Sequence, residues 1–159
     1  MFPDCIASFN FAGAWWEVDL GASYAIAKVE VHNRHDCCGE RLSNSRVILK
    51  DGADPVANYA IGTALTDQVF NILAADFTEV PTITASRVRV QLNGNTYLQL
   101  TEIKVYDTNH NNIAAQGTPT QSSTYGSTYS ASKAIDGATD SVSITQSEQG
   151  KNQNFVAQA

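Results

Sequence analysis

The chain has 159 residues, 43% hydrophobic and 16% charged, the proportions of one globular domain with material for a core, which excludes a disordered chain. Ten basic against sixteen acidic residues give a net charge of −6 with no Lys/Arg cluster, which argues against nucleic acid or an anionic membrane surface as the partner. No apolar run approaches the roughly eighteen residues that membrane insertion requires.

The start, Met1-Phe2-Pro3-Asp4-Cys5, lacks the basic and apolar regions of a secretory signal. The expectation is a chain whose signal has been removed, or a piece of a longer protein. Short apolar runs punctuated by Gly, Asn, Ser and Thr, without long helical patterns, predict an all-β sandwich or barrel.

In chain order, Trp16, Val18 and Leu20 alternate with Glu17 and Asp19, predicting a strand with one buried face. Gly21-Ala22-Ser23 reads as the turn after it. Val29 and Val31 mark a second strand. Arg46-Val47-Ile48-Leu49 is a third, closed by the Asp51-Gly52 turn signal. Residues 53–85 show only fragments such as Val69–Ile72 and Asp76-Phe77. Arg87–Leu92 alternates cleanly, and Asn93-Gly94-Asn95 turns the chain. Leu98 and Leu100 then share one phase while Ile103 and Val105 share the other. The slip at Thr101-Glu102 predicts either a β-bulge or a strand that ends and restarts. Residues 107–112 are polar, with the connector proper at 109–112. Beyond Ile113, Ser and Thr dominate, so 113–159 lacks a core of its own and must pack on something.

The densest chemistry is Asn33-Arg34-His35-Asp36-Cys37-Cys38-Gly39-Glu40-Arg41. One reading is structural, with charges paired on the surface and cysteines filling a gap. Another is zinc on His32, His35, Cys37 and Cys38, although adjacent cysteines chelate one tetrahedral ion poorly. A third is a polyhydroxyl-ligand site. Two guanidinium forks would present fixed donors to sugar oxygens, Asp36 and Glu40 would hold the forks, and a Cys37–Cys38 disulfide would make a rigid apolar plate. That disulfide needs an oxidising compartment. Composition leaves the three open.

Resemblance narrows them. Arg34–Arg41 resembles the signature loop of the F-type lectins, the fucolectin family: Arg-x-Asp, four residues, Arg. Trp15–Gly21 is similar to the hallmark strand of the wider discoidin, or coagulation-factor C-type, superfamily, and Leu100–Tyr106 resembles its last strand. The resemblance covers residues 5–106. It implies an eight-stranded antiparallel jelly-roll β-sandwich of the galactose-binding-like kind, binding L-fucose beside a structural calcium. Arg34 and Arg41 would donate to the sugar, and Cys37 and Cys38 would form a vicinal disulfide stacked on its ring. The family's third sugar ligand, a histidine two residues after a cysteine, is here Ala7 after Cys5. The usual partner position of that cysteine holds Thr101, so Cys5 is expected as an unpaired thiol.

Asn112–Ser123 and Ala131–Asp140 resemble the opening of the same domain, which ordinarily precedes the Trp-Trp strand. The expected organisation is therefore 1–108 as the Trp-Trp to last-strand portion and 113–159 as the opening segment. That segment belongs either to the same, circularly permuted domain or to the next repeat of a tandem array, and it completes a sandwich in the same chain or by strand swapping with a partner. The resemblance places calcium on the side chains of Asp136 and Glu102 and the carbonyls of Lys133, Ala138 and Thr101, with Ser141 as a further ligand. The stretch after Asp140 is short, and in relatives it supplies aromatic contacts to the fucose methyl.

No hydrolase machinery is legible. The histidines, His32, His35 and His110, have no recognisable partner set, no Gly-x-Ser-x-Gly occurs, and the arginines beside Asp36 and Glu40 would keep both ionised. The expectation is a non-enzymatic, calcium-assisted extracellular or cell-surface lectin for fucosylated glycan or free sugar, as a homo-oligomer or strand-swapped dimer. The rival is a discoidin-type adhesion module with an altered pocket. A third reading is a carbohydrate-targeting module attached to a glycoside hydrolase.

Overall fold

In the computed structural model, residues 13–72, 83–93 and 96–145 are described. The expectations for Cys5, Ala7, Asp76-Phe77, the Gly94-Asn95 part of the predicted turn and the segment beyond Thr145 fall outside them. The described residues form nine strand segments: β1 Trp15–His32, β2 Arg46–Asp51, β3 Asp54–Ala60, β4 Val69–Ile72, β5 Ile83–Gln91, β6 Gln99–Leu100, β7 Glu102–Asp107, β8 Thr118–Gln121 and β9 Ser143–Ile144. All pairings are antiparallel.

β1 organises the sandwich. Its first half, from Trp15 to Asp19, lies between β5 and β8. Its second half, from Val29 to His32, lies between β4 and β7. β2 and β3 extend the first group, so the path runs β3-β2-β5-β1-β4 with β7 and β8 also on β1. The Gly21-Ala22-Ser23 signal is therefore not a turn between two strands but an irregularity inside one. The register with β5 shifts between Asp19 and Tyr24. Gly21 takes φ +82, and its N–H bonds Asp19 Oδ1 at 2.9 Å. A glycine tolerates that left-handed step at no steric cost, and ladders on both sides carry the strand through it.

Alternation places the core as expected. Trp16, Val18, Val29, Val31, Val47, Leu49, Val88 and Val90 are fully buried. On the outer face of β1, Glu17 is nearly buried too, held by Arg89 Nε at 2.7 Å and Lys50 Nζ at 3.0 Å. Arg89 in turn stacks 4.1 Å over the Trp15 ring, so the aliphatic stems and aromatic face shield that pair from water.

The phase slip near residue 101 marks a change of sheet. β6 pairs with β9, whereas β7 pairs with β1, and Thr101 lies between them. That change lets Leu98, Leu100, Ile103 and Val105 all be buried despite their opposite phases.

The C-terminal segment packs on its own chain. β8 lies against β1 with Trp16 opposite Gln121, Trp16 Nε1 donates to the Ala131 carbonyl at 2.9 Å, and Leu98 N–H bonds Thr145 Oγ1 at 3.1 Å. Among the described residues, no helix is long and apolar enough to cross a membrane.

Candidate functional site

The loop after β1 begins at Asn33, and its backbone is pinned before any side chain is placed. Thr101 N–H and Oγ1 both bond the His32 carbonyl, at 3.1 and 3.0 Å, and Oγ1 also reaches the Asn33 carbonyl at 3.1 Å. Asn33 Nδ2 donates to the Gly39 and Leu65 carbonyls at 2.8 and 3.0 Å. Asp67 N–H bonds the Arg34 carbonyl at 2.6 Å. Gly39 opens a short 3-10 turn to Leu42 and lies so close to Thr66 that a Cβ there would strike the Thr66 backbone. Loop 33–41 and loop 64–68 therefore form one cross-braced unit.

On that frame Arg34 is nearly buried, its side chain 6% exposed. Its Nε donates to Asp36 Oδ1 at 2.7 Å, and its Nη2 pairs with Oδ2 of the same carboxylate. This fork-to-carboxylate match fixes the guanidinium plane. The Arg34 hydrogen bonds hold the Asp36 carboxyl below the usual range, so it stays ionised and cannot serve as a general acid near neutrality.

The second arginine converges on the same point through a residue the sequence did not single out. With its amide oxygen facing the guanidiniums, the orientation its neighbours require, Gln99 accepts from Arg34 Nη1 and Arg41 Nη1 at 3.1 Å each. Gln99 is nearly buried, in β6. Arg41 also lies 5.4 Å over the Tyr97 ring. Tyr97 meets Tyr125 edge-on at 5.9 Å, and Tyr125 meets Tyr129 at 5.7 Å. The C-terminal segment thus brings an aromatic row up to Arg41, with Tyr125 38% exposed.

Two expectations are corrected here. Glu40 is exposed on the 3-10 turn and holds neither arginine; Gln99 does that for Arg41. The vicinal disulfide is not formed. Cys38 is a free thiol and Cys37 is disulfide-bonded, the two sulfurs lying 2.8 Å apart. Joining adjacent cysteines would close a small ring through a planar peptide that resists it. Cys38 instead takes φ 57 at the start of the 3-10 turn. The chain has three cysteines; the unpaired one among the described residues is Cys38, and Cys5 lies outside them.

Of the residues expected to hold calcium, Lys133, Asp136, Ala138, Ser141 and Glu102 lie around one turn. Ser141 Oγ lies 2.9 Å from both Asp136 oxygens, donates to the Lys133 carbonyl at 3.1 Å, and is 3.5 Å from the Ala138 carbonyl. Gly137 N–H donates to Glu102 Oε2 at 3.2 Å, bringing that carboxyl to the same turn. Glu102 is 2% exposed. Burial pushes its pKa up to about 7, and the nearby Asp136 charge adds to the rise. Lys133, 3.6 Å from Asp136, supplies a positive charge to that turn, and the Lys104 charge opposes the rise at Glu102. Two carboxyls with carbonyls and a hydroxyl are the hard oxygen donors a divalent cation takes, so the residues fit the ion. For zinc the fit is poor: among the described residues no three His, Cys, Asp or Glu side chains are gathered around one point.

The sequence matches the NedA-like, galactose-binding domain family over residues 4–90, more than half of the chain. The chain belongs to that family, and within the discoidin superfamily it is an F-type lectin. It is 35% identical over 107 residues to fucolectin-5 of Anguilla japonica, covering 64% of this chain and 53% of that protein. The F-type lectin chain thus spans about half the length of this curated relative. It also resembles the lectin domain of lectinolysin complexed with Lewis B antigen, at 32% identity and TM-score 0.54, over 62% of this chain and 68% of that one. A serum fucolectin from striped bass aligns over 82% of this chain and 46% of that one, at 31% identity and TM-score 0.51.

Proposed function

We propose that the domain is a non-catalytic lectin that binds L-fucose or a related sugar through Arg34 and Arg41. The convergence of both guanidiniums on the Gln99 carbonyl carries the reading. Asp36 and Gln99 occupy Nε, one N–H of Nη2 and one of Nη1 on Arg34. The second N–H of each terminal nitrogen is left for ligand oxygens, and Arg41 keeps more. Fixed donors of this kind bind sugar oxygens at little entropic cost, because the protein has already ordered them. The adjacent Cys37 and Cys38 side chains and the exposed Tyr125 ring, backed by buried Tyr97, supply apolar surface for the ring face and methyl. The relatives reinforce the reading, being fucolectins and a lectin domain complexed with Lewis B antigen.

Calcium belongs to the same proposal. Asp136, Glu102, Ser141 and the carbonyls of Lys133, Ala138 and Thr101 would hold it, and its charge would stabilise the ionised Glu102. The chain's own contribution is positional. Glu102 follows Thr101, whose hydroxyl pins the start of the arginine loop, so a bound ion would stiffen the base of the sugar site. The segment 113–145 acts as the opening part of the same domain in permuted order, and the protein works outside the cell.

Retention on immobilised L-fucose in calcium, with release by free L-fucose, tests the proposal. Passage straight through the column by the folded protein would instead favour an adhesion module, a reading to which the free Cys38 thiol lends some weight.

A further inference from the structure

The two arginines of the site are held in different ways, and the difference singles out one more residue. Arg34 is clamped by the Asp36 carboxylate. Arg41 makes no ion pair among the described residues. Its partners are the Gln99 amide oxygen, 3.1 Å from Nη1, and the Tyr97 ring, whose centroid lies 5.4 Å from the guanidinium carbon. We infer that Tyr97 is the positioning residue of Arg41, and that the C-terminal segment holds Tyr97 in place through Tyr125. The inference rests on the sugar-binding reading and adds to it a residue that touches no sugar.

Geometry is the first argument. One hydrogen bond fixes a distance but leaves the guanidinium free to swing about the Nη1–oxygen line. A ring face under the same group removes that freedom, because the cation is attracted to the negative π-surface. Tyr97 is 4% exposed, and this attraction strengthens where water is kept away. The donors of Arg41 that Gln99 leaves over are thereby aimed before a ligand arrives, which lowers the cost of binding.

The support behind the ring is the second. Leu98, next to Tyr97 in the chain, is held by Thr145 in both directions. Its N–H bonds Thr145 Oγ1 at 3.1 Å, and its carbonyl accepts from Thr145 N–H at 3.1 Å. Gln99 lies opposite Ile144 in the β6–β9 ladder, and the Ile144 carbonyl accepts from Tyr125 N–H at 3.0 Å. Tyr125 meets the Tyr97 ring at 5.9 Å and 86°, an edge-on arrangement that aromatic pairs favour. Tyr129 stands 5.7 Å behind Tyr125. The C-terminal segment thus braces both groups that hold Arg41, Tyr97 by its ring and Gln99 by its backbone.

Calorimetric titration with L-fucose and NMR spectra of the arginine Nε–H groups test the inference on wild type, Tyr97→Phe and Tyr97→Leu. Melting temperatures verify folding. Phe keeps the ring, whereas Leu keeps apolar bulk without a π face. Tyr97→Leu is expected to weaken L-fucose binding about five- to thirtyfold, and to move the Arg41 signal while leaving that of Arg34 in place. Tyr97→Phe is expected to keep both the affinity and the Arg41 signal. Tyr125→Ala, read without sugar because that ring also faces the ligand, should move the Arg41 signal in the same direction as Tyr97→Leu. A Tyr97→Leu protein that binds like a sugar-binding wild type would overturn the inference. So would one that moves both arginine signals alike, which would show a general loosening of the loop. An Arg41 signal indifferent to Tyr125→Ala would overturn the role of the C-terminal segment. Absence of binding by wild type would overturn the sugar reading alone; an Arg41 signal that Tyr97→Leu leaves unmoved would overturn the role of Tyr97 whatever the sugar does.

Discussion

Trp16 and Ala131, 115 positions apart, are joined by a 2.9 Å hydrogen bond from the indole N–H to the backbone carbonyl, both groups buried. The bond locks the hallmark strand to the C-terminal segment, whose β8 also lies beside Trp16.

A chain ending at Asn112 would therefore expose Trp16 and strip β1 of β8. It is expected to lose cooperative unfolding, as read by circular dichroism during thermal melts. Trp16→Phe keeps most of the ring but leaves the Ala131 carbonyl unpaired, at a cost of about 1–3 kcal/mol. A truncated chain that melts like the full one would show the segment to be dispensable.

Gln99→Leu removes the shared acceptor and leaves two neighbouring guanidiniums without it. Sugar affinity is expected to fall by about ten- to a hundredfold, following the roughly 1.5–3 kcal/mol of hydrogen bonds to charged groups. Gln99→Glu is expected to draw both arginines inward and also weaken binding. Titration calorimetry on folded variants measures both. Unchanged affinity in Gln99→Leu would show that Asp36 and Tyr97 suffice to orient the arginines.

Glu102 sets a pH dependence with a definite sign. Its folded pKa is raised to about 7 from 4.5, so the metal-free folded state binds the extra proton between those values. Stability without calcium should therefore fall as pH rises from about 4.5 to 7. Calcium favours the ionised carboxyl, so its stabilising effect should grow over the same window. Melting temperatures across that range, with calcium and with chelator, test this, and Glu102→Gln should flatten the chelator curve. A metal-free stability that rises through the window in wild type but not in Glu102→Gln would contradict it.

Gly39→Ala would place a methyl against the Thr66 backbone and 2.8 Å from the Leu65 carbonyl carbon. Backbone cannot swing aside as a side chain can, so loops 33–41 and 64–68 must part. The expected destabilisation is about 1–3 kcal/mol by chemical denaturation, with weaker sugar binding.

Much of the fold was legible wherever one face is buried. Alternation located β1, β2 and most of β5, and the phase slip at Thr101 located the change of sheet. Gly21-Ala22-Ser23 misled because a local turn signal cannot report that β5 resumes its pairing beyond the irregularity. The arginine pair was legible from the spacing of Arg34, Asp36 and Arg41. Gln99 was not: the phase of Leu98 and Leu100 shows only that it faces away from them, and its partners lie 65 and 58 positions upstream. The Cys37–Cys38 pairing was implied by the resemblance, and the free Cys38 thiol departs from it, since connectivity cannot be read from sequence alone. The tail's place on β1 followed from resemblance, since a Ser/Thr-rich segment carries no periodicity to fix Gln121 opposite Trp16.

The central claim is that Arg34 and Arg41 grip a fucose-like sugar. Calorimetric titration with L-fucose in calcium, on wild type and on Arg34→Ala, tests it most directly. The account predicts sub-millimolar binding by the wild type that the folded variant loses. Absence of heat with the folded, calcium-loaded wild type, or undiminished binding by Arg34→Ala, would contradict it.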